Sequence, residues 1–279
     1  MHPESVTSAA DGSVFNGSIK GIVYRARPRD TVARPFIVPD AANGLQAVFG
    51  VLADDRSRTL WVCAVANPFA RPGPQPAPPS AVVAFDLKDG KLRGRWPFPA
   101  PGGVCNDIAV ARDGSLYATD TPNGRILHLP RGGKALAVVA EAEELKGIDG
   151  LAFAGDGKLY VNIVSRGELL RVDLPRAGQP AVITKLKLTR PLAGPDGFRP
   201  LGGNRFLLAE GTGGRIDLVT IDWDIATIRV LKDGLDSSPG VTAVGRTAYA
   251  VEGKIGYLID PKLRGQDPGA FKITAIPID

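Results

Sequence analysis

Four polar residues stand at matched positions along the sequence and could together bind a metal ion. Asn106 and Asp149 each precede an Asp-Gly pair by seven residues, and Glu4 stands at the same distance from a third such pair. Asp196 opens a weaker copy of the same unit. Three carboxylates and one carboxamide offer only oxygen donors, and these are the ligands that a hard divalent cation prefers. The spacing therefore predicts a cation site built from segments far apart in the chain.

The proposed ligands of one divalent cation are Glu4, Asn106 and Asp149, with Ca²⁺ favoured and Mg²⁺, Mn²⁺ or Zn²⁺ as alternatives. His and Cys are absent from these positions, which argues against zinc. Asp149 or Asp196 would be the catalytic base that removes a proton from an attacking water. The alternative for each residue is a hairpin cap that binds neighbouring backbone amides, as Asp and Asn often do.

A repeat of short β-hairpins would bring these residues to one place. Asp-Gly between two β-prone runs is a strong hairpin signal. The hairpins open near positions 4, 49, 106, 149, 196 and 239, and a period of about 40 to 50 residues with room for four short strands is typical of a propeller blade. The sequence therefore predicts an all-β fold, a six-bladed β-propeller with four antiparallel strands per blade, as one domain over residues 1–279.

Two details of the ring are also predicted. The longest period contains a Pro-rich insertion at residues 67–80 in the second blade, which is either a lid over the site or an inert surface loop. In the last unit, residues 241–244, 247–252, 255–259 and 271–278 are predicted as four strands. The ring would then close by packing of the first blade against the last, and the chain ends would fray first.

A second set of residues is predicted to contact a substrate above the cation. The second strand of each unit returns to the face where the first strand begins, and Asp120, Asn162 and Glu210 lie at its end. Phe49 opens the second unit, and His2, near the chain start, could shuttle a proton. The alternatives are plain turn residues for the first three and a frayed terminus for His2.

The amino-acid composition restricts the classes of partner that we expect for this protein. The formal net charge is +5, but the basic residues are scattered and do not alternate with aromatic residues, which indicates a solvated rim and no nucleic-acid partner. No apolar run approaches the roughly 20 residues that a membrane-spanning helix needs. A small-molecule substrate is therefore the expected partner, and the oligomeric state, monomer or dimer, stays open.

The chain start and the cysteines bear on the compartment. The first residues show no basic segment followed by an apolar one, so a cytoplasmic protein is expected by default, or a periplasmic or secreted one if a leader was removed. Cys63 and Cys105 have no metal-ligand spacing. Two buried thiols are favoured over a disulfide, although both residues lie in inner strands of neighbouring repeats and could be close.

Three segments carry a resemblance to a known family. They are Pro3-Glu4-Ser5-Val6, residues 105–110 with Asp113-Gly114, and Asp149-Gly150-Leu151 with residues 156–160. In these segments the chain resembles the SMP-30/gluconolactonase/LRE family, and the similarity runs through nearly its whole length. The resemblance implies a six-bladed propeller that hydrolyses lactones with one divalent cation at the channel mouth. It also implies that the family's Glu, Asn and Asp ligands fall on Glu4, Asn106 and Asp149.

The sequence departs from this pattern at Phe49, where sugar lactonases often carry a substrate-binding Asn, and the departure indicates a less polar substrate. Metal-dependent hydrolysis of a small lactone or ester is therefore the preferred hypothesis. A lyase or condensing enzyme is one alternative, because the chain also resembles, more faintly, strictosidine-synthase-like propellers. The other alternative is a ligand-binding propeller with a structural cation.

Overall fold

The structure, a computed structural model, describes residues 2–69, 78–99, 102–175 and 179–279. Six sheets follow one another along the chain, and their first strands pack side by side in a closed ring, with the first sheet against the sixth. The predicted six-bladed propeller is confirmed. We call the sheets blades 1 to 6 in chain order, and the strands that surround the central channel the inner strands.

Blades 1 to 3 each have four antiparallel strands in sequential order. In all three, Asp or Gly residues occupy the turn between the first two strands, as the hairpin signals predict. The strands are β1 Pro3–Ser8, β2 Val14–Ser18, β3 Val23–Ala26, β4 Arg34–Ile37, β5 Ala47–Asp54, β6 Thr59–Val65, β7 Ala81–Asp86, β8 Leu92–Pro97, β9 Cys105–Val110, β10 Leu116–Asp120, β11 Arg125–Leu129 and β12 Ala137–Glu141.

Blades 4 to 6 have four, five and three strands, respectively. A short 3-10 helix, Glu143–Leu145, precedes blade 4. The remaining elements are β13 Ile148–Phe153, β14 Leu159–Ile163, β15 Glu168–Asp173, β16 Val182–Lys185, β17 Lys187–Leu188, β18 Pro195–Gly202, β19 Arg205–Glu210, β20 Arg215–Asp222, β21 Ile225–Lys232, β22 Gly240–Val244, β23 Thr247–Val251, α1 Gly256–Ile259 and β24 Ile273–Pro277.

The last two blades differ from the predicted four strands. Lys187–Leu188 leaves blade 4 and pairs in parallel with β21, which adds a fifth strand to blade 5. The predicted strand at 255–259 is wrong, because Gly256–Ile259 forms a helix and β24 pairs directly with β23. A short apolar run does not distinguish a helix from a strand by periodicity alone. Blade 6 therefore has three strands, and a helical segment takes the place of the predicted third strand.

Glycines allow neighbouring inner strands to approach closely. A Cβ atom at Gly150 would lie 2.5 Å from the backbone oxygen of Asp196, and one at Gly197 would lie 2.9 Å from the Cα atom of Gly240. Each of these glycines directly follows the residue that opens its blade. Since no side chain would fit there, glycine at this position brings the opening residues of adjacent blades together around the channel.

The cysteine prediction is corrected by the structure. Cys63 in β6 and Cys105 in β9 form a disulfide, and their Cα atoms are 5.2 Å apart. Because β6 and β9 belong to blades 2 and 3, the bond joins neighbouring blades. Strands β6 and β9 are in contact, and this Cα separation meets the distance requirement for a disulfide.

Two further predictions can be compared only with the described residues. Residues 70–77, the larger part of the predicted Pro-rich insertion, lie outside the described residues, so the lid hypothesis stays a prediction. Across the described ranges, none of the helices has the length and apolar character needed to cross a membrane.

Candidate functional site

The inner strands are irregular where the candidate ligands stand. The register with the second strand shifts between Pro3 and Val6 in β1, around residues 105–108 in β9, between Ile148 and Leu151 in β13, and between Pro195 and Phe198 in β18. A β-bulge bends a strand and redirects its side chains. The bulges contain the four candidate residues Glu4, Asn106, Asp149 and Asp196. The matched spacing in the sequence therefore corresponds to matched bulges in the fold.

Asn106, Asp149, Glu4 and Asp196 form one cluster at the end of the channel. The Asn106 side-chain amide donates to Asp149 Oδ2 at 3.1 Å and to Thr121 Oγ1 at 3.1 Å. Burial and then repulsion from Asp149 raise the pKa of Glu4 to about 8. Burial, followed by the negative charges of Asp149 and Glu4, raises the pKa of Asp196 well above its usual value. The three acids therefore lie close enough to oppose one another's ionisation.

Asp149 occupies the centre of this cluster. It is only 6% exposed, and burial, with repulsion from Asp107, raises its pKa to about 7. The Asn106 hydrogen bond, the positive charge of Arg199 and a hydrogen bond with Asp196 act in the opposite direction. A carboxyl group with a pKa near neutrality can both accept and return a proton at physiological pH.

Below the cluster, a buried arginine crosses the channel. Arg199 in blade 5 makes two hydrogen bonds to the Asp107 carboxylate in blade 3, at 2.6 and 2.9 Å. The same guanidinium donates to Ser5 Oγ in blade 1 and to the Val51 backbone oxygen in blade 2, both at 3.3 Å. Ser5 and Asp107 stand where blades 2, 4, 5 and 6 have glycine. One side chain therefore connects four blades and supplies a positive charge beneath the acids.

A cavity of about 310 Å³ lies over the cluster. Glu4 and Asp196 face into it, whereas Asn106 and Asp149 are not among its lining residues. Its walls are mainly apolar and come from blades 1, 2, 4, 5 and 6 together with α1. Two acids with raised pKa values at the floor of a concave apolar site are the usual features of an active site.

Two of the five predicted substrate-binding residues line this cavity. Phe49 is half-buried on its wall. His2 lies at its edge, where Nδ1 is 2.9 Å from the Gly253 backbone oxygen and the ring packs edge-on against Phe271 at 4.9 Å. Burial lowers the pKa of His2, so the ring is neutral at physiological pH. Contact of either residue with a substrate stays a prediction.

The other three residues, Asp120, Asn162 and Glu210, are buried and make internal hydrogen bonds. Asp120 accepts from the Val104 amide at 3.0 Å and from Asn123 at 2.9 Å. Glu210 accepts from Arg190 at 2.5 Å. None of the three lines the cavity. Their predicted contact with a substrate is not tested by these hydrogen bonds, which show that they fix loops and strands beneath the site.

Asn162 links two of the inner strands that carry the acids. Its amide nitrogen donates to the Asp196 backbone oxygen, and its Oδ1 accepts from the Gly150 amide at 3.2 Å. Because Gly150 follows Asp149, this side chain fixes the relative position of the Asp149 and Asp196 backbones. An amide that orients functional residues in this way is a positioning group.

The donor set fits a hard divalent cation. Glu4, Asp149 and Asp196 are close enough to raise one another's pKa, and a cation would remove the repulsion that keeps them protonated. Among the described residues, however, no three His, Cys, Asp or Glu side chains form a group that could hold a metal by themselves. Binding of a cation by Glu4, Asn106 and Asp149 therefore stays a prediction.

Comparisons with known proteins identify the fold but no family. No protein-family model and no curated protein matches this chain. A gluconolactonase from Xanthomonas campestris is 19% identical over 99% of this chain and 86% of that chain, with a TM-score of 0.68. Virginiamycin B lyase from Staphylococcus aureus, in an inactive form with quinupristin, is 16% identical over 89% of this chain and 76% of that chain, with a TM-score of 0.64.

A third similar structure has a different chemistry. The PQQ-bound aldose sugar dehydrogenase from Streptomyces coelicolor is 14% identical over 100% of this chain and 94% of that chain, with a TM-score of 0.70. The neighbours thus include a lactonase, a lyase and a dehydrogenase on one type of propeller. At these identities the likeness shows the fold alone, and the function must be argued from the site.

Proposed function

We propose that this protein is a metal-dependent hydrolase of small lactones or esters and a member of the lactonase-like propellers that SMP-30 and gluconolactonase represent. The observation that carries the proposal is the cluster of buried acids with raised pKa values at the floor of the cavity. The fold shared with a gluconolactonase from Xanthomonas campestris supports it. The substrate would occupy the cavity with its acyl carbon near Asp196.

Glu4, Asn106 and Asp149 would hold the cation, and Ca²⁺ is the first choice because all three offer oxygen donors. A bound divalent cation supplies a positive charge that polarises the acyl oxygen and stabilises the negative charge developing on it. The residues of the chain account for the remaining functions, which are substrate positioning, exclusion of water and transfer of the proton.

Asp196 is the proposed general base. It faces the cavity, whereas Asp149 is buried behind it. The Asp196 carboxylate takes a proton from water as the water oxygen attacks the acyl carbon, and it returns that proton to the alkoxide that leaves when the ester C–O bond breaks. The negative charge of Asp149, whose own pKa is raised to about 7, contributes to the raised pKa of Asp196 and so to its basicity.

A substitution series tests these roles. The protein is purified, stripped of metal with a chelator, and assayed on a panel of lactones and esters with and without Ca²⁺, Mg²⁺, Mn²⁺ or Zn²⁺. We expect Asp196→Asn to lower kcat at least about 100-fold, the usual contribution of a general base. We expect Asn106→Ala to weaken cation binding, measured by calorimetry, and to lower kcat/KM with it. The matched control is Asp156→Asn, which changes an exposed turn residue whose Oδ1 accepts from the Lys158 amide at 3.0 Å.

The results separate the hypotheses. Turnover that survives complete removal of metal would contradict the proposed role of the cation. If the cation raises the melting temperature but no lactone or ester is cleaved, a ligand-binding propeller with a structural cation is the better explanation. If a substrate is consumed without addition of water, the site is that of a lyase or a condensing enzyme.

A further inference from the structure

The described residues that line the cavity are mainly apolar. Phe49 and Val164 come from blades 2 and 4, and Phe69 is the last described residue before the gap at residues 70–77. Ile255, Leu258 and Ile259 come from the segment around α1. These six side chains surround the space above Glu4 and Asp196. A ligand that fills the space would therefore contact carbon atoms on most of its surface.

Two of the wall residues remain exposed at the cavity mouth. Phe69 is 42% exposed and Ile259 is 56% exposed, and both are among the most exposed large apolar residues described. Exposed apolar side chains that border a cavity extend the apolar surface available to a ligand. An apolar group longer than the cavity would continue over this rim.

The described residues that line the cavity offer few partners for hydroxyl groups. Apart from the acids and His2, whose Nδ1 is already engaged with Gly253, the side-chain polar groups of the lining are the hydroxyls of Thr212 and Ser237. A sugar lactone brings several hydroxyl groups, and each one that is buried without a partner opposes binding. A site built to select a polyol would present several amide or hydroxyl side chains.

We propose that the natural substrate carries an apolar chain, such as an alkyl-substituted lactone or an ester of a medium-chain acid, and that the α1 segment selects it. This inference rests on the proposed hydrolase function of the same site. The reacting carbonyl lies over Glu4 and Asp196. The apolar chain of the substrate lies against Leu258 and Ile255 and leaves the cavity between Phe69 and Ile259.

The location of these residues explains how the selectivity arises in this fold. Ile255, Leu258 and Ile259 belong to the part of blade 6 where a helical turn replaces a strand. Lys254 holds the end of the following loop by donating to the backbone oxygens of Pro268 at 2.6 Å and Ala270 at 3.0 Å. A strand paired to β23 would lie in the sheet and away from the channel mouth. The helix instead places three apolar side chains over it.

A homologous series of substrates provides the first test. The metal-loaded protein is assayed on γ-butyrolactone, γ-hexalactone, γ-octalactone and γ-decalactone, with glucono-δ-lactone as the polar comparison. We expect kcat/KM to rise about fourfold for each added methylene, since burying one methylene stabilises by about 0.8 kcal/mol and about 1.4 kcal/mol corresponds to a factor of 10. The increase in kcat/KM should end once the alkyl chain of the lactone extends beyond Phe69 and Ile259.

Substitutions in the α1 segment provide the second test. Leu258→Gln introduces an amide on a side chain of similar size, and we expect it to lower the ratio of kcat/KM for γ-decalactone to that for γ-hexalactone about tenfold. Ile259→Gln tests the same idea at a position that is 56% exposed and adds little risk to folding. The matched control is Lys262→Gln, an exposed residue of the next turn outside the cavity lining, which should leave the ratio unchanged.

Binding without turnover distinguishes this inference from the proposed function. Alkyl-substituted γ-lactams resist cleavage, and calorimetry should show that their affinity increases with chain length in the wild type but not in Leu258→Gln. Chain-dependent lactam binding without cleavage of any lactone or ester would refute the hydrolase and leave the selectivity of the cavity for an apolar chain standing. Cleavage with glucono-δ-lactone preferred over every alkyl lactone would overturn the inference and leave the hydrolase standing. Lactam affinity that does not depend on chain length would also overturn the inference.

Discussion

Removing either member of the Arg199–Asp107 pair should destabilise the protein strongly, and removing both should not. The guanidinium contacts both carboxylate oxygens at 2.6 and 2.9 Å, and the two side chains are 8% and 4% exposed. Arg199→Met leaves a buried carboxylate without a counter-charge, and Asp107→Asn leaves a buried guanidinium. Breaking a buried pair in this way costs about 3–5 kcal/mol.

The double variant Arg199→Met with Asp107→Asn has no buried charge at this position. It should lose only about 1–3 kcal/mol, the cost of a buried amide with incomplete hydrogen bonds. The two single losses would add up to about 6–10 kcal/mol if they were independent. The expected coupling energy is therefore at least about 3 kcal/mol, in favour of the intact pair.

Denaturant unfolding followed by tryptophan fluorescence measures all four proteins of this cycle. A second cycle with Arg93→Met and Asp86→Asn is the control, because that pair is also an Arg–Asp contact, at 2.5 Å, but its side chains are 34% and 27% exposed. Exposed pairs contribute about 0–1 kcal/mol. If the single losses at Arg199 and Asp107 simply add, the guanidinium does not depend on Asp107 for its charge balance, and the proposed connection across the channel is wrong.

Two further predictions follow from the acids and the cysteines. In the absence of metal, stability should fall as the pH rises from about 4 to about 8, because the raised pKa values of Glu4 and Asp149 mean that the folded state binds more protons than the unfolded state in this range. Thermal melts in chelator should accordingly show that Asp149→Asn gains stability over the wild type as the pH rises. A difference in melting temperature that does not change with pH would contradict the raised pKa of Asp149. Reduction of the Cys63–Cys105 bond, which joins residues 42 apart, should lower the free energy of unfolding by about 4 kcal/mol, because the denatured chain gains conformational entropy when the bond is broken. Two titratable thiols in the denatured, unreduced protein would show that the bond does not form.

The blade pattern and the candidate acids could be predicted because their signals are local. An Asp-Gly turn with β-prone residues on both sides determines a hairpin within about fifteen residues, and equal spacing from the turn places Asn106 and Asp149 at the same height. The glycines that follow Asp149 and Asp196 were visible in the sequence too. Because glycine occupies this position in four blades, the sequence could have predicted that the inner strands pack closely.

The features that escaped prediction depend on contacts between distant segments. Arg199 and Asp107 are 92 residues apart, and only the closed ring shows that the one reaches the other across the channel. The same holds for Asn162 and Glu210, which bind the backbone of other segments: Asn162 contacts Gly150 and Asp196, and Glu210 accepts from the Ala193 amide. The helix at Gly256–Ile259 could not be told from a strand, since its four residues are too few to show a period.

Arg199 crosses the central channel between two cavities. On one side is the cavity over Glu4 and Asp196, and on the other a separate cavity of about 180 Å³ that Arg199 itself lines. In the proposed hydrolase, a side chain that crosses the channel beneath the site would leave the mouth of the cavity as the route for both substrate and product. A hydrolysed acid that lingers there blocks the next molecule, so inhibition by product should be competitive with substrate.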